Sequence, residues 1–128
     1  MRPVLTADVI IKYKEGVVLI KRKTEPFLHY WAIPGGHVEY NETIEEAAKR
    51  EVKEETNLNI RNLEQFHVYS DPKRDPRGHY VSVVFTAQGV GRFKNSEEVE
   101  DIRVFDKIPE NIAFDHKIIL TDYFKNRR

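Results

Sequence analysis

Three glutamates, Glu51, Glu54 and Glu55, stand at positions i, i+3 and i+4 of a segment with helical periodicity. At about 100° per residue they fall on one helix face, so three carboxylates crowd together. A like-charged i, i+4 pair such as Glu51 and Glu55 destabilises an isolated helix by roughly 0.2–0.5 kcal/mol. The helix dipole adds to this, because negative charge is disfavoured toward the C-terminal half. A cation that receives the charge removes both penalties. Hard carboxylate oxygens, in a chain with no Cys, point to Mg²⁺ or Mn²⁺ rather than zinc. The plain alternative is a solvated helix face carrying Glu45–Lys49 and Glu46–Arg50 ion pairs.

The elements that must position these acids can be read around them. Thr43-x-x-Glu46 fits a capping box that starts a helix. Ile44, Ala47, Ala48 and Val52 form its apolar stripe. Asn57 stands where a helix ends in a left-handed residue. Upstream, Pro34-Gly35-Gly36 predicts a sharp bend with close backbone approach. Val4–Tyr13 and Val17–Ile20, separated by Lys14-Glu15-Gly16, predict a hairpin. Strands are expected at Leu63–Tyr69, Tyr80–Ala87 and Ile102–Phe105, a closing helix at Asp115–Asn126, and loops at Thr24–Tyr30 and Ser70–Gly78. Strands interleaved with two helices predict an α/β or α+β sandwich.

Gly36, five residues, Glu42, seven residues, then Arg50-Glu51-Val52-Lys53-Glu54-Glu55-Thr56-Asn57-Leu58 resembles the Nudix hydrolase box. One position departs from it, with Asn57 where the family has Gly, and Asn is the next most permissive residue for a positive φ. The resemblance implies an α/β/α sandwich with a mixed central sheet and two main helices. It also implies hydrolysis of a nucleoside diphosphate linked to another moiety, with Mg²⁺ or Mn²⁺ as cofactor. Glu51, Glu54 and Glu55 would be metal ligands together with the Gly36 carbonyl, and Glu54 is the foremost of them. Arg50 would orient the carboxylates by pairing with Glu51 and Glu42. The general base is either a box Glu or a loop acid among Glu97, Glu98 and Glu100, from which Glu98 is taken. Near the end of the preceding strand only Gln88 stands where some relatives carry a further metal-binding Glu.

Outside the box, the stretches Ser70–His79 and Ala113-Phe114-Asp115-His116 resemble the ADP-ribose pyrophosphatase branch. The substrate implied is ADP-ribose, split into AMP and ribose 5-phosphate. The alternatives are another Nudix substrate (dinucleoside polyphosphates or damaged nucleotides) and a non-catalytic ADP-ribose sensor. Trp31, Arg77, His79 and Tyr80 are the candidate substrate contacts. Phe27, Tyr30 and His37 are weaker ones. Lys73 and Arg74 read better as part of a solvated turn built on two Asp-Pro steps.

With 128 residues, 40% of them apolar, the chain is expected to form a single domain with one core. Lys plus Arg and Asp plus Glu are 21 each, a balance that argues against a nucleic-acid partner. The absence of Cys removes thiol nucleophiles and disulfide frameworks. Asp8 interrupts the apolar stretch Val4–Ile11, so no secretory signal is read there. No run approaches the ~18 apolar residues of a membrane span. The expectation is a soluble, cytoplasmic domain, and no amphipathic feature demands the homodimer that many Nudix relatives form.

Overall fold

The apolar run at the N-terminus becomes strand β1, Val4–Tyr13, whose central six residues are all buried. Burial of consecutive residues requires cover on both faces, as in the middle of a sheet flanked by helices. In the computed structural model, which describes residues 1–126, β1 is that central strand. It pairs in parallel with β6, Tyr80–Val90, from Val4↔Tyr80 to Lys12↔Gln88. β6 pairs antiparallel with β5, Asn59–Tyr69.

The expected hairpin between β1 and β2, Gly16–Arg22, closes over Lys14, whose φ is 54°. Its pairing extends only through Lys12↔Val17 and Tyr13↔Gly16. β2 then leaves β1 and pairs with β3, Trp31–Ala32, and with β7, Val99–Phe105. In the space so opened, β4, Gly35–His37, pairs antiparallel with β1. Of the sharp bend expected at Pro34-Gly35-Gly36, only Pro34 lies in a bend; Gly35 and Gly36 belong to this short strand, and neither has a positive φ.

Helix α1, Ile44–Thr56, covers one face and α2, His116–Asn126, belongs to the packing on the other. The alternation of β1 divides the core between them. Ala7, Val9 and Ile11 pack in the cluster that holds Ala47, Ala48 and Val52 of α1. Ile10 packs in the cluster that holds Ile119, Leu120 and Tyr123 of α2. Each fully buried aliphatic side chain contributes about 1.5–3 kcal/mol relative to exposure. The result is the expected mixed α+β sandwich. Among the described residues no helix is long and apolar enough to cross a membrane.

Candidate active site

Local chemistry fixes both ends of α1. Thr43 Oγ1 accepts from the Glu46 N–H at 3.0 Å and Glu46 Oε1 accepts from the Thr43 N–H at 2.8 Å. At the other end Asn57 takes φ 68° and its N–H donates to the Lys53 carbonyl. With Ala47, Ala48, Val52 and Thr56 buried, the helix has one rotational setting, which turns Glu51 and Glu55 toward β4.

The glycines of β4 make room for these acids. The Gly35 N–H donates to Glu55 Oε1 at 3.0 Å. A Cβ on Gly36 would lie 2.5 Å from the Glu51 carboxyl, and one on Gly35 would collide with Asp8 Oδ1 and the Ala7 carbonyl. Glycine is needed here because the backbone passes close to carboxylates, not because of a turn.

Arg50 ties the acids together as expected. Its Nε donates to Glu42 Oε2 at 2.7 Å and its Nη2 to Glu42 Oε1 at 3.0 Å, a two-pronged pair. The remaining N–H groups reach Glu51 at 3.0 Å, Glu54 at 3.4 Å and the His37 carbonyl at 2.9 Å. The Arg50 hydrogen bond, ahead of a backbone bond within the Glu39–Glu42 turn, holds the Glu42 carboxyl down at about 2.

Carboxylate oxygens of Glu51, Glu55 and Glu98 lie within 4.8 Å of one another. At that spacing two ionised groups repel by roughly 3–4 kcal/mol at an effective dielectric of about 20. Burial pushes the Glu55 carboxyl well above the usual range, and the Glu51 charge adds to it. Burial raises Glu51 as well, opposed by Arg50. Three converging oxygen donors with no nitrogen or sulfur among them fit a hard divalent cation, whose charge removes both penalties.

The acids occupy one part of a cleft of about 560 Å³. Elsewhere in its lining Arg77 lies 4.6 Å from the Tyr80 ring centre and 5.1 Å from that of Phe114, held by a two-pronged pair with Asp75. Arg22 lies 4.9 Å from the same Phe114 ring. Two guanidinium groups and two rings can receive phosphate and a planar base. His116 is buried, accepts from the Ile33 N–H through Nδ1 at 3.0 Å, and is held down to about 3 by burial. Asp8 is buried and pushed up to about 6, mainly by burial, opposed by its bond to Ser82.

Of the candidate residues, the fold brings Gly36, Glu51, Glu55, Glu98, Arg77 and Tyr80 together on the cleft. Glu54 stands apart: its side chain is 42% exposed, outside the converging cluster, and its contact is Arg50. Trp31 is 6% exposed in the core against Phe105, not on the cleft. His79 is exposed, with Nε2 3.1 Å from the Ser70 carbonyl, and does not line the cleft either. Glu100 pairs with His29 at 2.6 Å, and Gln88 with Arg61 and Asn62. Arg74, expected in a solvated turn, is 6% exposed and grips Asp115 with two hydrogen bonds at 2.7 and 2.9 Å. Sequence reading missed Asp8, Arg22 and Phe114 as cleft residues. For Asp8 the signal was a lone acid in an apolar strand.

A family model for the NUDIX domain matches residues 2–121, so the chain belongs to the Nudix family. By class it is a Nudix pyrophosphohydrolase. An ADP-ribose pyrophosphatase of Methanocaldococcus jannaschii is 42% identical over 98% of this chain and 75% of its own length. An ADPR-responsive transcriptional repressor of Acinetobacter baylyi is 32% identical, and the chain spans 53% of its length. Among solved structures, a MutT/nudix family protein from Enterococcus faecalis is 32% identical with a TM-score of 0.88, covering 98% of this chain and 62% of that one. The NUDIX domain of Shewanella oneidensis NrtR, solved with ADP ribose, is 25% identical with a TM-score of 0.87, covering 98% and 88%.

Proposed function

We propose that this chain hydrolyses ADP-ribose to AMP and ribose 5-phosphate as a single Nudix domain, using Mg²⁺ or Mn²⁺. The observation that carries this is one cleft joining the Glu51–Glu55–Glu98 cluster to the Arg77–Tyr80–Phe114 wall. Similarity to the M. jannaschii pyrophosphatase supports the substrate.

Glu51, Glu55 and the Gly36 carbonyl would hold the cation, together with Glu54. A divalent ion bound there neutralises diphosphate oxygens and acidifies bound water. Arg50 is a positioning residue that keeps Glu51 aimed inward. Glu98 accepts the proton from the attacking water. The water oxygen bonds to phosphorus, the bridging P–O bond breaks, and its electron pair leaves with the departing phosphate. Arg77 neutralises charge on the phosphates, and Tyr80 and Phe114 flank the base.

A substrate panel with Mg²⁺ tests the reading. ADP-ribose is expected to exceed dinucleoside polyphosphates and nucleoside triphosphates by at least tenfold in kcat/KM. Preference for either competitor overturns the substrate. Tight binding of ADP-ribose without turnover would instead indicate a sensor.

A further inference from the structure

Asp8 lies between Ala7 and Val9 on the central strand and is only 8% exposed. One of its oxygens is fully engaged. Oδ2 accepts from Ser82 Oγ and, at 3.1 Å, from Thr6 Oγ1. No described group donates to Oδ1, and no buried side-chain oxygen or nitrogen among the described residues lacks a partner. Oδ1 therefore opens to the cleft, which Asp8 lines. A carboxylate oxygen only accepts, so its partner in a ligand must be a donor.

Position narrows the donor. Asp8 pairs in register with Gly35, whose N–H holds Glu55. It thus borders the acidic cluster without belonging to it, since its oxygens do not join the three that converge. A phosphate oxygen there would meet like charge, and the Arg74 guanidinium that also lines this part of the cleft is already gripped by Asp115. In a nucleoside diphosphate sugar the first donors beyond the phosphates are ribose hydroxyls, one methylene away. The rings against which a base could stack, Tyr80 and Phe114, stand with Arg77.

We propose that Asp8 is a specificity-determining residue whose Oδ1 accepts a hydrogen bond from a hydroxyl of a ribose attached to the diphosphate. The inference rests on ADP-ribose being the substrate. A site built to pair a hydroxyl rejects an analogue lacking it, because the buried acceptor is then left unsatisfied.

The test is steady-state kinetics at pH 8 with Mg²⁺, using ADP-ribose and two analogues, one lacking a hydroxyl on the adenosine ribose and one on the terminal ribose. Wild type is expected to show KM raised about tenfold for one analogue, which identifies the ribose. Asp8→Ala is expected to raise KM for ADP-ribose by a similar factor, with kcat within about threefold and no further loss on that analogue. Asp8→Asn should fall between the two. Unchanged KM in Asp8→Ala, additive losses, or a collapse of kcat alone would overturn the proposal. If Asp8→Ala lacks a cooperative melt, wild type decides: equal KM for all three compounds overturns it. Absence of ADP-ribose turnover by wild type would refute the substrate reading instead.

Discussion

Gly36 runs directly beneath Glu51, with the position of a Cβ only 2.5 Å from the glutamate's carboxyl. The strand is extended at this point, so alanine is acceptable to the backbone and objectionable only to Glu51. Gly36→Ala is therefore expected to fold normally while pushing the carboxylate off its station. Its kcat should fall roughly 10²-fold, as when a charge-stabilising group is lost. Kinetics alongside a thermal melt check this, and full activity in a folded variant would remove Glu51 from the machinery.

Arg50 serves four groups at once, and its two-pronged grip on Glu42 requires a planar fork. Lysine keeps the charge but not the geometry. Arg50→Lys should lose about tenfold or more in kcat, with little change in KM, because it touches carboxylates rather than substrate. A rise in KM alone would instead place Arg50 against the ligand.

Glu54 and Glu98 invite direct comparison. Glu98 converges with Glu51 and Glu55, whereas Glu54 reaches Arg50 from a more exposed position. As metal ligand and base, both should lose ~10²-fold in kcat when changed to Gln. Glu54→Gln should need more Mg²⁺ for half-maximal rate, and so should Glu98→Gln, which removes one oxygen of the converging cluster. An Mg²⁺ requirement that is unchanged in Glu54→Gln excludes Glu54 from the ligand set.

Acid should destabilise the fold through His116. In the unfolded chain its imidazole protonates as pH falls through about 6.5, while in the fold it stays neutral down to about 3. Its contribution is complete above the first value and disappears toward the second, on the order of 5 kcal/mol in all. His116→Gln, which offers an oxygen to the Ile33 N–H, should flatten urea-derived stability between those pH values. Identical slopes in the two proteins would show that His116 is not the group responsible.

Asn57 departs from the family box at a residue with φ 68°. Asn57→Ala should cost about 1 kcal/mol, the penalty for a Cβ in the left-handed region without a polar side chain. Asn57→Gly should match or exceed wild-type stability. Both should retain wild-type kcat, because the metal cluster does not include this position.

What could be read before the structure was whatever is encoded locally. The capping box and the Asn57 terminus follow from spacing within one helix and stand as expected; of the three glutamates read onto one face, Glu51 and Glu55 converge while Glu54 stands apart. The glycine pair was read as a bend because glycine serves both turns and close approach, and only the carboxylates packed against it distinguish the two. The Arg74–Asp115 clamp joins residues 41 positions apart, so nothing near either one announces it. Trp31 drew attention as a stacking ring, yet its bulk fills the core, as large aromatics often do. Asp8 was legible as an oddity within an apolar strand, but its neighbours Ser82 and Gly35 come from two other strands.

On the proposed function, the converging carboxylates make ADP-ribose cleavage depend on a divalent cation. The most direct measurement is AMP release from ADP-ribose by the purified chain as Mg²⁺ is titrated and then removed with EDTA. Saturable release of AMP and ribose 5-phosphate in equal amounts, abolished by chelation and restored by Mg²⁺ or Mn²⁺, is the predicted result. Turnover that ignores chelation, or none with either ion in the folded protein, would contradict it.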